Sequence, residues 1–152
     1  MASARRTLTQ RAQEAVKKQL LNGTQEQFFR GWGDKIITAD PGELLTSLAE
    51  TLAGLSCGII VECTGGPAPH WGEEDWKMVL TIFENPLLNR GNGSDGKTCD
   101  TVMEAVLLAF ADGGAFWPTH TRPLPGEERI GWEIEGTAKV VLLPTENPGG
   151  KC

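Results

Sequence analysis

The octet "GNGSDGKT", residues 91–98, carries the most specific chemical pattern in the chain. Gly91 and Gly96 stand at the spacing of a phosphate-binding loop, and Lys97 and Thr98 follow. In that motif the glycine backbone and a helix N-terminus cradle phosphate oxygens, the lysine reaches them and the hydroxyl holds Mg²⁺. The chemistry would be nucleotide binding or phosphoryl transfer. Other candidates are thinner. Glu73, Glu74 and Asp75 gather three carboxylates in what reads as a loop, 64–75, where solvated charge is the usual state. Glu62, in "GIIVEC", falls in an apolar run, where a carboxylate needs a partner or the exposed end of a strand. His70 and His120 stand apart in Pro/Gly-rich stretches, and the serines have no His and Asp context.

The four cysteines, Cys57, Cys63, Cys99 and Cys152, form no C-x-x-C pair, so no metal site is expected. Cys57 and Cys63 bracket an extended run about 20 Å long. A disulfide needs Cα atoms within about 7 Å, so these two cannot pair while the run stays extended. Reduced thiols and cytosolic folding are the expectation.

The context of the octet argues against a working phosphate loop. Such a loop follows directly on a strand, and a second strand supplies an Asp for Mg²⁺. Here the apolar strand ends near Glu84, Asn85-Pro86 breaks it, and residues 86–91 intervene. "VLLAFAD" lies on the helix after the loop, and "KVVLLP" ends in Pro144. Gly, Asn, Ser and Asp are turn formers, and Ser94 or Asp95 can cap a helix starting near Lys97. Gly91, Gly96, Lys97 and Thr98 are therefore read as a decoy. No catalytic residue, cofactor or metal is expected, and the chain is not expected to be an enzyme.

The elements that would position these residues follow from periodicity. Residues 6–21 read as a helix with a narrow stripe of Leu8, Ala12, Ala15, Val16 and Leu20, stopped by Gly23. A stripe this thin suits a helix lying on a surface or on a neighbouring subunit. Phe28, Phe29 and Trp32 then either anchor the connection on the core or make a subunit contact. Asp40, Pro41 and Glu43 form a helix start, with Leu44, Leu45, Leu48, Leu52 and Leu55 on one face and an end near residue 53.

"SCGIIVEC" reads as a buried strand and 76–84 as a second, with Trp76, Met78, Leu80 and Ile82 on one side. The short, non-helical link between them predicts an antiparallel pair. Residues 99–111 read as a helix with Val102, Met103, Val106, Leu107 and Phe110 inward. The stretch 113–128 reads as loop. "IGWEIEGTAKVVL" alternates with Gly136 in step with its apolar side, so it is either one bent strand or a hairpin broken there. The expected fold class is α+β: a single domain with a small, mostly antiparallel sheet and helices packed on one face. Its parts are an N-terminal basic helix and connection, 1–30, the main domain, 31–143, and a tail, 144–152.

Charge bounds the partners. The 152 residues carry −6, yet residues 1–30 hold six basic side chains against two acidic ones, so the remainder carries −10. An acidic body does not read as a nucleic-acid binder. No apolar run is long enough for a membrane helix, and the N-terminal stretch lacks the apolar middle of a secretory signal. Chain length alone permits burial of about 68–70% of the unfolded surface. Arg5, Arg6 and Arg11 are candidates to meet Glu73, Glu74 and Asp75 on a neighbouring copy.

The stretch "KMVLTIFENPLLNRGNGSDGKTCDTVMEAVLLAF" resembles small tail-completion proteins of long-tailed bacteriophages and prophages. It presents a strand ending in Glu-Asn-Pro, then Leu-Asn-Arg, a glycine-rich loop and an amphipathic helix. Downstream come a Trp-Pro loop, a Leu-Pro stretch and a final alternating strand. The nearest group is the tail terminator proteins. That resemblance implies an α+β protomer that forms a ring, typically a hexamer, capping the tail tube and facing the head–tail connector. It implies no catalysis and no cofactor. The partners would be further copies of the chain, the tail tube protein and the connector proteins, and the location would be the virion tail, after assembly in the host cytoplasm. A head–tail connector or another minor tail protein is the alternative, with a nucleotide-binding enzyme behind it.

Overall fold

A computed structural model describes residues 7–38, 57–69, 72–85, 98–124 and 130–142. In chain order these form α1 (Leu8–Asn22), β1 (Ile36–Thr38), β2 (Cys57–Gly65), β3 (Glu73–Glu84), α2 (Cys99–Ala109), β4 (Trp117–Pro123) and β5 (Ile130–Val141). The helix expected over 41–53, Arg5, Arg6, His70, the octet up to Lys97, and the tail 144–152 lie outside the described residues.

The strands make one five-stranded sheet in the order β1-β2-β3-β5-β4. β2 and β3 pair antiparallel, with Val61 opposite Leu80. β3 and β5 pair over their full lengths, with Leu80 opposite Ile134. β1 alone is parallel to its neighbour, β2. A parallel return needs a crossover of a dozen or more residues, and 39–56 is long enough to supply one. The class is α+β, as the periodicity predicted.

Alternation sorts the strands into two faces. Ile59, Val61 and Cys63 of β2, Met78, Leu80 and Ile82 of β3, and Ile134, Ala138 and Val140 of β5 join one buried cluster. Ala12, Val16 and Leu20 of α1 and Val102, Ala105 and Val106 of α2 belong to that cluster, so both helices cover the same face. Phe29 and Trp32 are buried in it too, and their rings meet edge to face at 5.3 Å. Those aromatics anchor the link from α1 to β1 on the core. α1 thus lies on its own sheet.

Each helix is fixed by polar contacts as well as by its stripe. Thr7 caps α1 in a reciprocal box with Gln10, and the Gly23 N–H closes the far end on the Gln19 carbonyl. Gln13 is buried, and its Nε2 donates to the Val61 carbonyl at 3.1 Å, at the last rung of the β1–β2 ladder. Gln19 spans the two helices: Nε2 donates to the Ala109 and Gly113 carbonyls, and Oε1 accepts from Ala115 N at 2.9 Å. Gly114 sits at φ +120°, and a Cβ there would collide with the Gln19 amide, so this turn requires glycine.

Three expectations need correction, and one alternative left open is decided. The carboxylates at 73–75 stand in the first turn of pleat of β3, because β5 runs far enough to pair with them: Glu73 faces Val141 and Asp75 faces Lys139. The stretch expected as loop after residue 113 contains β4, an edge strand whose residues are almost all exposed. Pro118 and Pro123 are tolerated there because an edge strand is bonded on one side only. β5 is one continuous strand; the irregularity falls in β4 between Pro118 and His120, opposite Gly136. Gly136 is glycine because a Cβ would strike the Trp117 carbonyl and the Phe116 ring. Finally, α2 is capped by Thr98, not by Ser94 or Asp95.

Candidate functional site

Thr98 is the described member of the phosphate-loop pattern, and its chemistry is legible. Its hydroxyl accepts from Thr101 N, while Thr101 Oγ1 accepts from Thr98 N at 3.0 Å. This reciprocal box satisfies two donors at the helix start. The strand before the loop ends at Glu84 in an antiparallel pair with β2 and β5, not in a parallel nucleotide-binding sheet.

Glu84, not Glu62, is the buried carboxylate of the sheet. Only 6% of it is exposed, and its Oε1 accepts from Cys99 N at 2.9 Å. It lies on the helix-covered face, since it follows Ile82 by two residues, and so meets the first amide of α2. A carboxylate suits a helix N-terminus because four amides there lack helical partners and the dipole is positive. Glu62 points to the opposite face and is half-buried. The sequence signal for Glu84 was present: the parity of Met78, Leu80 and Ile82 extends to it.

The Cys99 thiol beside this carboxylate, and Cys63 further along β2, are held protonated. Burial first, then the hydrogen-bonded and charged Glu84, with Asp100 and Cys57 behind it, push the Cys99 thiol up to about 12. Burial also pushes Cys63 up, against a smaller opposing effect of the Gly65 backbone. Protonated thiols are neither nucleophiles nor metal ligands at neutral pH. Cys57, Cys63 and Cys99 are buried and form no disulfide among the described residues.

On the outer face β3, β4 and β5 carry a grid of ion pairs. Lys77 Nζ meets Glu135 Oε2 at 2.8 Å, and Lys139 Nζ meets Asp75 Oδ1 at 3.0 Å and Glu73 Oε1 at 3.8 Å. Arg122 binds Glu133 through Nε at 2.9 Å and through Nη2. The Lys77 hydrogen bond holds the Glu135 carboxyl below its ordinary value, and the Asp75 hydrogen bond holds Lys139 above its own. Arg122 is raised in the same way by Glu133. His120 stands opposite Glu135, with Nδ1 3.2 Å from Thr119 Oγ1. The arrangement is a solvated, cross-strand charge lattice with each cation beside an acid. Among the described residues no group of three or more His, Cys, Asp or Glu is placed to hold a metal.

Of the basic residues expected to meet the 73–75 carboxylates across subunits, the described one, Arg11, stands at the same end of its own sheet as those carboxylates. Arg11 Nη2 donates to the Val141 carbonyl at 2.6 Å, and Val141 is the register partner of Glu73. Arg11 and the 73–75 carboxylates therefore flank the same end of the sheet, and Lys139 engages two of those acids.

Exposed apolar groups gather elsewhere. Leu108 is 57% exposed and Trp117 51%, and the Trp117 ring packs against Gly113 in the turn after α2. Among the described residues no helix is long and apolar enough to cross a membrane. No protein-family model matches this chain, and no curated protein matches it.

Proposed function

We propose that this chain is a structural subunit of a bacteriophage tail, of the tail-terminator kind, which assembles with copies of itself into a ring that closes the tail tube. What carries the reading is the unit formed by β3, Glu84 and α2. The stretch that resembles tail-completion proteins, 77–111, supplies the central strand and the helix locked onto its end. The residues that could do chemistry are engaged in holding this unit: Thr98 caps, Glu84 binds the helix start, and the outer-face cations meet acids across strands. Exposed Leu108 and Trp117 then offer contact surface. The virion tail is the location that goes with this role.

The test is the mass of the purified protein by native mass spectrometry, with negative-stain microscopy of the particle. A closed ring with a central hole is expected. Calorimetry with ATP and Mg²⁺ is the opposing arm: saturable, Mg²⁺-dependent binding that Lys97→Ala abolishes would replace the assembly role with an enzymatic one.

A further inference from the structure

α2 presents an exposed leucine flanked by acids, and α1 an open groove with a lysine at its rim. Leu108 stands out from a helix whose neighbouring Ala105, Val106 and Ala109 are buried. Glu104, one turn earlier on the same face, and Asp112, in the turn that follows, are both exposed and flank it with negative charge. α1 presents the converse. A groove of about 410 Å³ is lined by Ala15, Lys18, Gln19, Asn22, Gly23 and Ala115. Its apolar floor is small methyl groups, which allow close approach of another helix. The Gln19 amide is already saturated by three hydrogen bonds, so an apolar guest leaves it satisfied. Lys18 is exposed at the rim, and a second groove of about 300 Å³ beyond Ala15 adds Arg11 and Lys139. Leu108 lines neither groove of its own chain.

We infer that Leu108 of one copy seats in the Ala15–Ala115 groove of a second copy, with Glu104 and Asp112 against the basic rim at Lys18. The inference rests on the reading of this chain as a self-assembling subunit and names the surface it uses. Two different patches meet, so the contact is head-to-tail, and each added copy leaves one patch open until a ring closes.

The experiment uses the full chain in sedimentation and native mass measurements, with circular dichroism to verify folding. Leu108→Asp and Ala15→Trp change exposed positions, so both variants keep the wild-type spectrum. Each weakens self-association by roughly 10- to 100-fold, the worth of one buried leucine, and runs as a monomer where the wild type is assembled. Mixed in equal amounts they form a one-to-one dimer, because one variant retains the ridge and the other the groove. Lys18→Glu weakens assembly by a few-fold, and adding Glu104→Lys in the same chain restores it. If both single variants assemble as the wild type does, the contact is elsewhere and the ring reading survives without it. If both are monomeric and the mixture is too, the two patches do not meet and the inference fails. A wild type that stays monomeric at every concentration overturns the contact and the self-assembly reading together.

Discussion

The two faces of the sheet are built from the same strands and obey different rules. Beneath the helices, Leu80, Ile82 and Ile134 are sealed from water, and the polar groups there meet fixed backbone partners: Gln13 the Val61 carbonyl, Gln19 the Ala109 and Gly113 carbonyls and Ala115 N, and Glu84 the Cys99 N–H. On the outer face, Lys139 divides itself between Asp75 and Glu73, and Glu135 has both Lys77 and His120 as neighbours. Desolvation explains the contrast. A buried polar group without its partner loses the full cost of leaving water, whereas an exposed ion pair exchanges protein for solvent at little cost. The helix-covered face therefore anchors the helices, and the opposite face divides between the buried Ile60, Val79 and Phe83 and the exposed ion pairs.

The largest effect expected from this contrast comes from one residue and its successor. Leu80→Ala leaves a cavity under the helices and costs roughly 2–5 kcal/mol in urea unfolding, whereas Thr81→Ala, one position along on the other face, costs under about 0.5 kcal/mol. Equal losses would mean that the faces do not differ as described. Next comes Gln19→Ala, which removes three hydrogen bonds and orphans Ala115 N; about 1–3 kcal/mol is expected, together with faster amide exchange across 109–115.

Glu84→Ala belongs in the same range, roughly 1–3 kcal/mol, and Glu84→Gln, which keeps an acceptor for Cys99 N, costs less. An equal loss for Gln and Ala would show that charge rather than hydrogen bonding holds the helix start. The adjacent thiol makes the covered face sensitive to alkali. Cys99 titrates at about 12 in the fold against 9.0 ordinarily, so the folded chain retains a proton that the unfolded one gives up between those values. Its contribution is whole below pH 9 and is lost as pH rises toward 12. Urea midpoints at pH 8 and pH 10 should fall for the wild type and fall less for Cys99→Ala.

The smallest effect is reserved for the outer face. Lys77→Ala should shift the neutral-pH midpoint barely beyond error, and that shift should vanish in high salt. The depressed Glu135 carboxyl gives the same pair an acid-side signature. Its contribution is present above the ordinary carboxylate value of 4.5 and disappears as pH falls through the lowered one.

Much of the covered face was legible in the sequence, because burial on one side of a strand or helix writes a period. Met78, Leu80 and Ile82, Val102 and Val106, and the run 130–141 announced their elements in that way. β1 was not legible: three residues, Ile36–Thr38, are too few to show a period. β4 was hidden because nearly all its side chains face water, so nothing alternates, and its prolines read as loop. Ala15 was grouped with the apolar stripe of α1, yet it lies exposed while Gln13 is buried. The helix is rotated so that Gln13 reaches the Val61 carbonyl, a need set by a strand almost fifty residues later (|i−j| = 48). Gln19 follows the same logic: its role depends on backbone groups that come together only in three dimensions, and no local pattern encodes it. The burial of Glu84 was legible in the parity of β3, but its partner, Cys99 N, was not.

The reach of the polar ties of α1 has a consequence for how the protein is made. Arg11 bonds to Val141, Gln13 to Val61 and Gln19 to Ala115, at separations of 130, 48 and 96 residues. During synthesis α1 thus has Val61 within reach early but waits for Ala115 and Val141 before its other two ties can form, and its apolar stripe stays incompletely covered throughout that interval.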